Sequence, residues 1–434
     1  MSQSKATVEK EPFSWPRESE TRVPYRVYLD PAVYDLEQER IYRGKTWSYL
    51  GLAAEVPNPG DFKSTFIGDT PVVLTRDQDG SLHSFVNRCA HRGAIVCREL
   101  TGNKAVHTCV YHQWAYEPSG KLVGVPFRRG LGGKGGYPAD FKMEDHGLTT
   151  LRVDAMKGMV FATFDPATES LAEYLGPSMI ENIERVMCRP IRVLGTTRQL
   201  MFGNWKLYSE NTRDSYHGGL LHLFYPTFNI YRPMQESHTV MDARRWHNHF
   251  TVLKPTGTEG IEDYKSAKGM RVIDEKATLA DPSVIEFKKD IGDRISLSIQ
   301  SLFPSVVLQQ ILNALAVRHV VPRGPKEVEL IWTFFGYQDD SEEMLTHRLK
   351  HGNLVGAAGY ISMEDGEAVE LVQRGIIRDE DESSFVEMGG LGAEDLDRVG
   401  SDENSIRGFW KAYREIMGFH PANNLLAKPA ASAA

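Results

Sequence analysis

Residues 89–114 read CAHRGAIVCRELTGNKAVHTCVYHQW. Three of the four cysteines and three histidines fall in this one stretch. Two short pairs stand out, Cys89-x-His91 and Cys109-x-x-His112, with seventeen residues between them. Pairs on neighbouring turns can converge on one site, and thiolates with imidazoles suit zinc or an iron–sulfur cluster rather than calcium or magnesium. A tetrahedral zinc knuckle is the plain structural reading. A [2Fe–2S] centre with two Cys on one iron and two His on the other uses the same donors, and neutral imidazole raises its potential. Three features favour the cluster. Cys-x-His is not the usual zinc-finger spacing. HRGA and YHQW offer tight turns and an aromatic cover. The flanking sequence is β-type, with no helix to carry zinc-finger histidines. Cys97, outside the pattern, and Cys188 read as small buried hydrophobes.

Working outward, short β-type runs separated by Gly, Pro and Asp precede the stretch: TWSYLGLAAEV, GDFKSTFIG, TPVVLTRD and SLHSFVN. KLVGVPF and TTLRVDAMKGMVFATFD follow it. Residues 45–165 therefore read as a small all-β domain. Before it, DPAVYDLEQERIYRG predicts a helix with Asp30 as N-cap. Residues 1–44 are assigned to a segment packing on the rest of the chain. After it, SLAEYLGPSMIENIERVM predicts a helix, and RRWHNHFTVLKP, SLSIQSLFPSVVLQQIL, NALAVRHVVP and EVELIWTFFGYQD read as strands of a larger sheet. SEEMLTHRLKHGNLV and ENSIRGFWKAYREIMG close it as helices. Residues 166–420 form this second, larger unit, and 421–434 a mobile tail. GLGGKGG at 130–136 lacks the ending and setting of a phosphate loop and reads as a surface loop.

With 434 residues and a formal net charge of -8, the chain is poorly suited to nucleic acid or an anionic membrane as partner. No apolar run is long enough to span a bilayer. The start, MSQSKATVEKEP, has no apolar signal core, so a cytoplasmic protein is expected.

A second constellation lies in NWKLYSENTRDSYHGGLLHLF, residues 204–224. His217 and His222 are about 140° apart on a regular helix, so sharing a metal requires the backbone to relax between them, and Gly218 and Gly219 permit this. Two His and a carboxylate make the facial triad of non-haem Fe(II) sites, with positions left open for O₂ and substrate. Two unrelated histidines beside a core helix are the bland alternative.

Together, C-x-H-R-G…C-x-x-H-x-W and NWKLYSENTRDSYHGGLLH resemble the two motifs of Rieske non-haem iron aromatic-ring-hydroxylating oxygenases, in their large (α) subunit, over about residues 20–420. RGFWKAYR, SMEDGEA and VPFRRG are most similar to the salicylate, anthranilate and terephthalate group. The resemblance implies an α+β fold: a Rieske domain inserted in a catalytic domain whose antiparallel sheet is covered by helices, in a helix-grip arrangement. It implies a Rieske [2Fe–2S] cluster on Cys89, His91, Cys109 and His112. It implies mononuclear Fe(II) on His217, His222 and Asp365, with Glu364 as the runner-up carboxylate and Glu367 nearby. Asp214 would link a cluster histidine of one subunit to an iron histidine of its neighbour, so an α3 trimer, or α3β3 with a small β subunit, is implied. An N-cap or solvent-facing Asp is the alternative. Electrons would come from NADH through a separate ferredoxin or reductase, since this chain carries no Rossmann or flavin motif. The activity implied is O₂-dependent hydroxylation or dihydroxylation of a single-ring aromatic carboxylate. A Rieske electron carrier and a zinc-stabilised scaffold are the competing readings.

One residue speaks to the substrate independently. Ala314, Ala316, Arg318 and Val320 share a strand face. An arginine among small apolar residues implies an anionic partner, either a structural Asp/Glu or a substrate carboxylate, with the alanines leaving room for a ring. Asn211 is expected beside the substrate as well, and Arg398, in a loop, is a second candidate.

Overall fold

Most period-2 runs broken by turn residues pair with their neighbours in sequence, and longer crossovers complete the two larger sheets. The computed structural model describes residue 15 and residues 19–231, 235–254 and 276–419. The expected mobile tail, 421–434, lies outside the described residues. Seven strands form the first sheet, in the order Ser48–Leu52, Met159–Thr163, Thr150–Met156, Leu82–Val86, Thr70–Arg76, Asp61–Ile67, Thr101–Asn103. A three-stranded sheet of His107–Thr108, Ala115–Tyr116 and Leu122–Gly124 is built from the stretch that holds the clustered cysteines. Residues 130–136 form an exposed glycine-rich turn, as read.

The larger sheet has eight antiparallel strands, in the order Ile191–Met201, Val328–Tyr337, Ala314–Pro322, Val306–Ile311, Ile295–Leu302, Asn248–Leu253, Ser237–Met241, Asp397–Val399. Val306–Ile311 and Ala314–Pro322 are buried at every position, because both of their faces are covered. Helices Glu342–Val355 and Tyr360–Gly375 lie against the Ile191–Met201 end of the sheet. The fold is the α+β arrangement expected. Ile191–Met201, Ser237–Met241 and Asp397–Val399 were not among the expected strands. Ile191–Met201 is an edge strand with Gly195, two threonines and two arginines, mostly exposed, so it carries no clear alternation. The single helix expected from Ser170 is two, Leu171–Leu175 and Pro177–Val186, broken where Gly176 takes φ 74° ahead of Pro177.

The N-terminal segment is fastened to the larger unit. Asp30 caps helix Pro31–Glu37 as expected, accepting from the Ala32 N–H at 3.0 Å. Glu37, fully buried, pairs with Lys206 at 2.6 Å and accepts from Trp205 Nε1 (2.7 Å) and Tyr413 Oη (2.5 Å). Burial works against the Lys206 charge and lowers its pKa, an effect that Glu37 partly offsets. Removing one partner of such a pair costs about 3–5 kcal/mol. The pair therefore fixes helix Trp205–Asn211, from which the histidine segment continues. The β domain packs on strand Ala314–Pro322, with Thr65 Oγ1 3.4 Å from His319 Nδ1 and the ring of Tyr49 edge-on to His319.

Candidate metal centres

The two Cys/His pairs sit on two copies of one turn. In the first, the Cys89 N–H donates to Ala94 O (2.8 Å) and the Gly93 N–H to Cys89 O (2.9 Å). In the second, the Cys109 N–H donates to Trp114 O and the Gln113 N–H to Cys109 O, both at 2.9 Å. The fifth residue of each turn has positive φ, 76° at Gly93 and 57° at Gln113. Both cysteines are buried. The rings of His91 and His112 lie 4.5 Å apart, and Trp114 stacks on His91 at 4.9 Å with 6° between planes, the expected aromatic cover.

Three features suit a bound [2Fe–2S] group. The Cys109 thiol is pushed up by burial and by its contact with Cys89, and two thiols held side by side are a donor pair suited to iron. His91 Nδ1 is buried without a hydrogen-bond partner. Tyr116 Oη is 3.2 Å from Cys89 Sγ, within reach of a cluster sulfur ligand. Cys97 is buried and outside this set, as expected, with its sulfur 3.2 Å from His107 Nδ1. Burial pushes that thiol up to about 12 and His107 down to about 4, so both are neutral. Cys188, by contrast, is exposed rather than buried.

At the second constellation Asn204 caps helix Trp205–Asn211 through the Lys206 N–H at 3.0 Å. A four-residue helix, Gly218–Leu221, then separates His217 from His222. The backbone does not relax at Gly218 and Gly219, which are themselves helical. It relaxes at His222, with φ -89° and ψ 76°. Gly218 instead allows a close approach: a Cβ there would lie 3.1 Å from the Tyr231 ring.

The carboxylates come from helix Tyr360–Gly375. Its buried stripe is Ile361, Ser362, Asp365, Gly366, Val369 and Gln373. Gln199 on the edge strand grips Ser362 twice, at 2.9 Å to its carbonyl and 2.6 Å to its hydroxyl, and a Cβ on Gly366 would lie 3.2 Å from Gln199. Asp365 Oδ1 is thereby brought 3.4 Å from His217 Nε2 and 3.1 Å from His222 Nε2. One ligand atom from each of the three lies within 4.8 Å of the others.

The far edges of both imidazoles meet carboxylates. Asp214 Oδ2 is 3.3 Å from His217 Nδ1, and Glu364 Oε2 is 2.7 Å from His222 Nδ1. This arrangement turns both Nε2 atoms towards Asp365. Glu364, the runner-up ligand, stands behind His222, and Glu367 is exposed to solvent. Asp214 also caps its own turn, its Oδ1 accepting from the Tyr216 and His217 N–H groups at 2.8 and 3.2 Å. Burial disfavours a charged His217, but Asp214 and Asp365 outweigh it and raise the group to about 10. Burial opposes the Asp365 charge too, and the two imidazoles hold it well below the usual carboxylate range. The position favours positive charge, and two Nε2 atoms with one carboxylate oxygen fit a divalent iron.

The histidines and Asp365 open onto a cavity of about 70 Å³, partly continuous with solvent. Its apolar wall includes Phe250, Leu297, Ile299, Ile311 and Ile361; Ala314 and Ala316, expected to leave room for a ring, are not part of it. Asn211 lines the cavity and donates to Asp365 Oδ1 at 3.0 Å. Arg318 lines it too, 5% exposed. Its guanidinium donates to Tyr208 Oη at 2.8 Å and to Gln309 Oε1, and lies 4.7 Å from the Trp332 ring centre. No salt bridge to Arg318 is present among the described residues, so the structural Asp/Glu bridge is not found. Arg398 is not in a loop but on edge strand Asp397–Val399, paired with Asp395 (3.0 Å) and Asp402 (2.6 Å). Sequence reasoning missed Tyr116, Tyr208 and Gln309. Tyr116 lies two residues past Trp114, on the short strand Ala115–Tyr116 that follows it, a signal that could have found it; Gln309 depends on strand register.

Comparison with known proteins places these features in a family. Residues 46–133 match the Rieske [2Fe-2S] domain, and 194–418 match the ring hydroxylating alpha subunit (catalytic domain). The anthranilate 1,2-dioxygenase large subunit of Burkholderia cepacia is 50% identical over 406 residues, 93% of this chain and 95% of that protein. Terephthalate 1,2-dioxygenase, terminal oxygenase component subunit alpha 2, of Comamonas sp. is 44% identical over 94% of this chain and 98% of that protein. In fold, the chain resembles naphthalene 1,2-dioxygenase from Rhodococcus sp. bound to indole, with a TM-score of 0.77 at 23% identity, covering 91% of this chain and 94% of that one. No helix among the described residues is long and apolar enough to cross a membrane. With a Rieske domain, a ring-hydroxylating catalytic domain and relatives matched over nearly its full length, the chain belongs to the alpha subunits of the Rieske ring-hydroxylating oxygenases.

Proposed function

We propose that this oxygenase subunit hydroxylates a single-ring aromatic carboxylate. Cys89, His91, Cys109 and His112 hold the [2Fe–2S] cluster, and His217, His222 and Asp365 hold the mononuclear iron. The cluster supplies single electrons and the ferrous site supplies dioxygen activation. The chain's own residues do the rest. Asp214 and Glu364 orient the two imidazoles, Asn211 holds Asp365 in place, and the apolar wall excludes water from around the ring. Asn211 thus serves the metal's carboxylate as well as facing the substrate. The observation that carries the substrate reading is Arg318: a buried guanidinium without a carboxylate partner, in the cavity that His217, His222 and Asp365 share. A substrate carboxylate satisfies that charge. The relatives named for anthranilate and terephthalate, both aromatic acids, support it.

Arg318→Leu is the test. Deleting one partner of a buried charge pair costs about 2–5 kcal/mol, which is a loss of affinity for the acid of roughly thirtyfold to a few thousandfold. An aromatic acid and its amide are compared in parent and variant. A selective loss for the acid supports the reading; equal losses make Arg318 a structural residue and remove the carboxylate.

We also propose that the subunit works in an oligomer, α3 or α3β3, with a ferredoxin or reductase. Asp214 passes electrons from the cluster of one copy to the iron of the next. Partly exposed Asp214 supports this, since it touches His217 on one side and on the other lines an open cleft with Tyr25, Leu221, Phe385 and Glu403.

A further inference from the structure

A second residue with a buried polar group lines the same cavity as Arg318. Tyr225 is 3% exposed, lines the cavity, and its hydroxyl makes no hydrogen bond. The ring is held in place: its backbone N–H donates to His222 O at 2.9 Å, and the ring stands 65° to that of His222 with centres 5.3 Å apart.

Arg318 presents a matching vacancy in its hydrogen bonding. Two guanidinium nitrogens are engaged by Tyr208 and Gln309, while Nε is buried and unpartnered. Buried donors without acceptors are destabilising, and two on one cavity call for an acceptor that reaches both. Both carboxylates of the cavity are already engaged: Asp365 by His217, His222 and Asn211, and Asp214 by His217 and the N–H groups of its own turn. The acceptor must come from the ligand.

We propose that Tyr225 Oη and Arg318 Nε together hold the substrate's carboxylate, one donor to each oxygen, which makes Tyr225 a specificity-determining residue. This rests on the aromatic-acid reading above and refines it. The arginine does not use a free two-nitrogen fork. It is fixed by Tyr208 and Gln309, and a neutral phenol completes the grip. Tyr208 and Gln309 become positioning residues for Arg318.

The experiment is calorimetric binding of 2-aminobenzoate, and of aniline, which lacks the carboxylate, to the complete iron-loaded protein. Parent, Tyr225→Phe, Arg318→Leu and the double variant are compared. Tyr225→Phe removes one hydroxyl and keeps the ring against His222. It should weaken 2-aminobenzoate binding by roughly ten- to a hundredfold, the range for a hydrogen bond to a charged group. Aniline binding and iron content should stay at parental values. In the double variant the loss should fall short of the product of the single losses, because both side chains grip one group. Arg318→Leu weakening the acid while Tyr225→Phe leaves it unchanged would overturn the role of Tyr225 and leave the aromatic-acid reading standing. Arg318→Leu without effect would overturn that reading itself. Equal loss for acid and aniline in Tyr225→Phe, or loss of iron, would make Tyr225 a support for His222 and overturn the proposal.

Discussion

All four donors proposed for the cluster centre come from residues 89–112, on two turns with the same hydrogen bonds. Those of the mononuclear centre come from positions 217, 222 and 365, brought together by a strand, two helices and a buried ion pair. The first lies at a surface: Tyr111 and Val110, beside His112, are 59% and 61% exposed. The second lies behind a wall of apolar side chains. Electron entry favours a shallow site, whereas oxygen chemistry favours one from which water is excluded. The difference teaches how each centre can fail. A turn holds its ligands by local backbone bonds. The buried centre relies on outer carboxylates: Glu364 is hydrogen-bonded to His222 Nδ1 at 2.7 Å, and Asp214 lies 3.3 Å from His217 Nδ1.

The largest effect should separate the two carboxylates on helix Tyr360–Gly375. Asp365→Ala should abolish mononuclear iron binding and product formation while the cluster's visible absorption stays intact. Glu364→Ala should keep the site but weaken iron affinity by roughly ten- to a hundredfold, since it orients His222 without ligating. Iron titration followed by gel filtration reads both. The reverse ranking would make Glu364 the ligand.

Asp214→Asn tests whether the two centres work together. Both should remain loaded. A chemically reduced cluster should then persist in the presence of substrate and O₂, at a reoxidation rate at least about tenfold below the parent, because the hold on His217 is weakened. Stopped-flow absorbance checks this, and parental reoxidation would leave Asp214 as a cap for its own turn.

The smallest effect belongs to the cluster side. Tyr116→Phe removes the hydroxyl 3.2 Å from Cys89 Sγ. The cluster should assemble normally, but its reduction potential should fall, because a hydrogen bond to sulfur stabilises the more negative reduced form. Redox titration measures it, and a rise in potential would contradict the assignment of that contact.

The same contrast explains what could be read in the sequence. Cys89, His91, Cys109 and His112 are legible because the turns that unite them are local. The strands of the β domain are legible because each alternates and ends on a turn residue. The pairing of Asp365 with His217 and His222 depends on where helix Tyr360–Gly375 docks on Gln199, a long-range fact. Spacing therefore left Glu364 and Asp365 as alternatives, and only the docked helix places Glu364 on the far edge of His222. The glycines after His217 were read for flexibility, yet Gly218 serves packing against Tyr231. Arg318 was visible as an oddity in an apolar strand. Its holders, Tyr208 and Gln309, were not, because Gln309 sits opposite Ala316 in a register that only the folded sheet defines.

The most direct test of two centres in one chain is the ratio of iron to acid-labile sulfide in the purified protein, beside Asp365→Ala. A [2Fe–2S] cluster carries equal iron and sulfide, so a further mononuclear iron should bring the parent to about three irons for two sulfides, and the variant back to about one to one. Equal iron and sulfide in a parent grown and purified with ample ferrous iron would contradict the mononuclear site, leaving an electron carrier where the structure places an oxygenase.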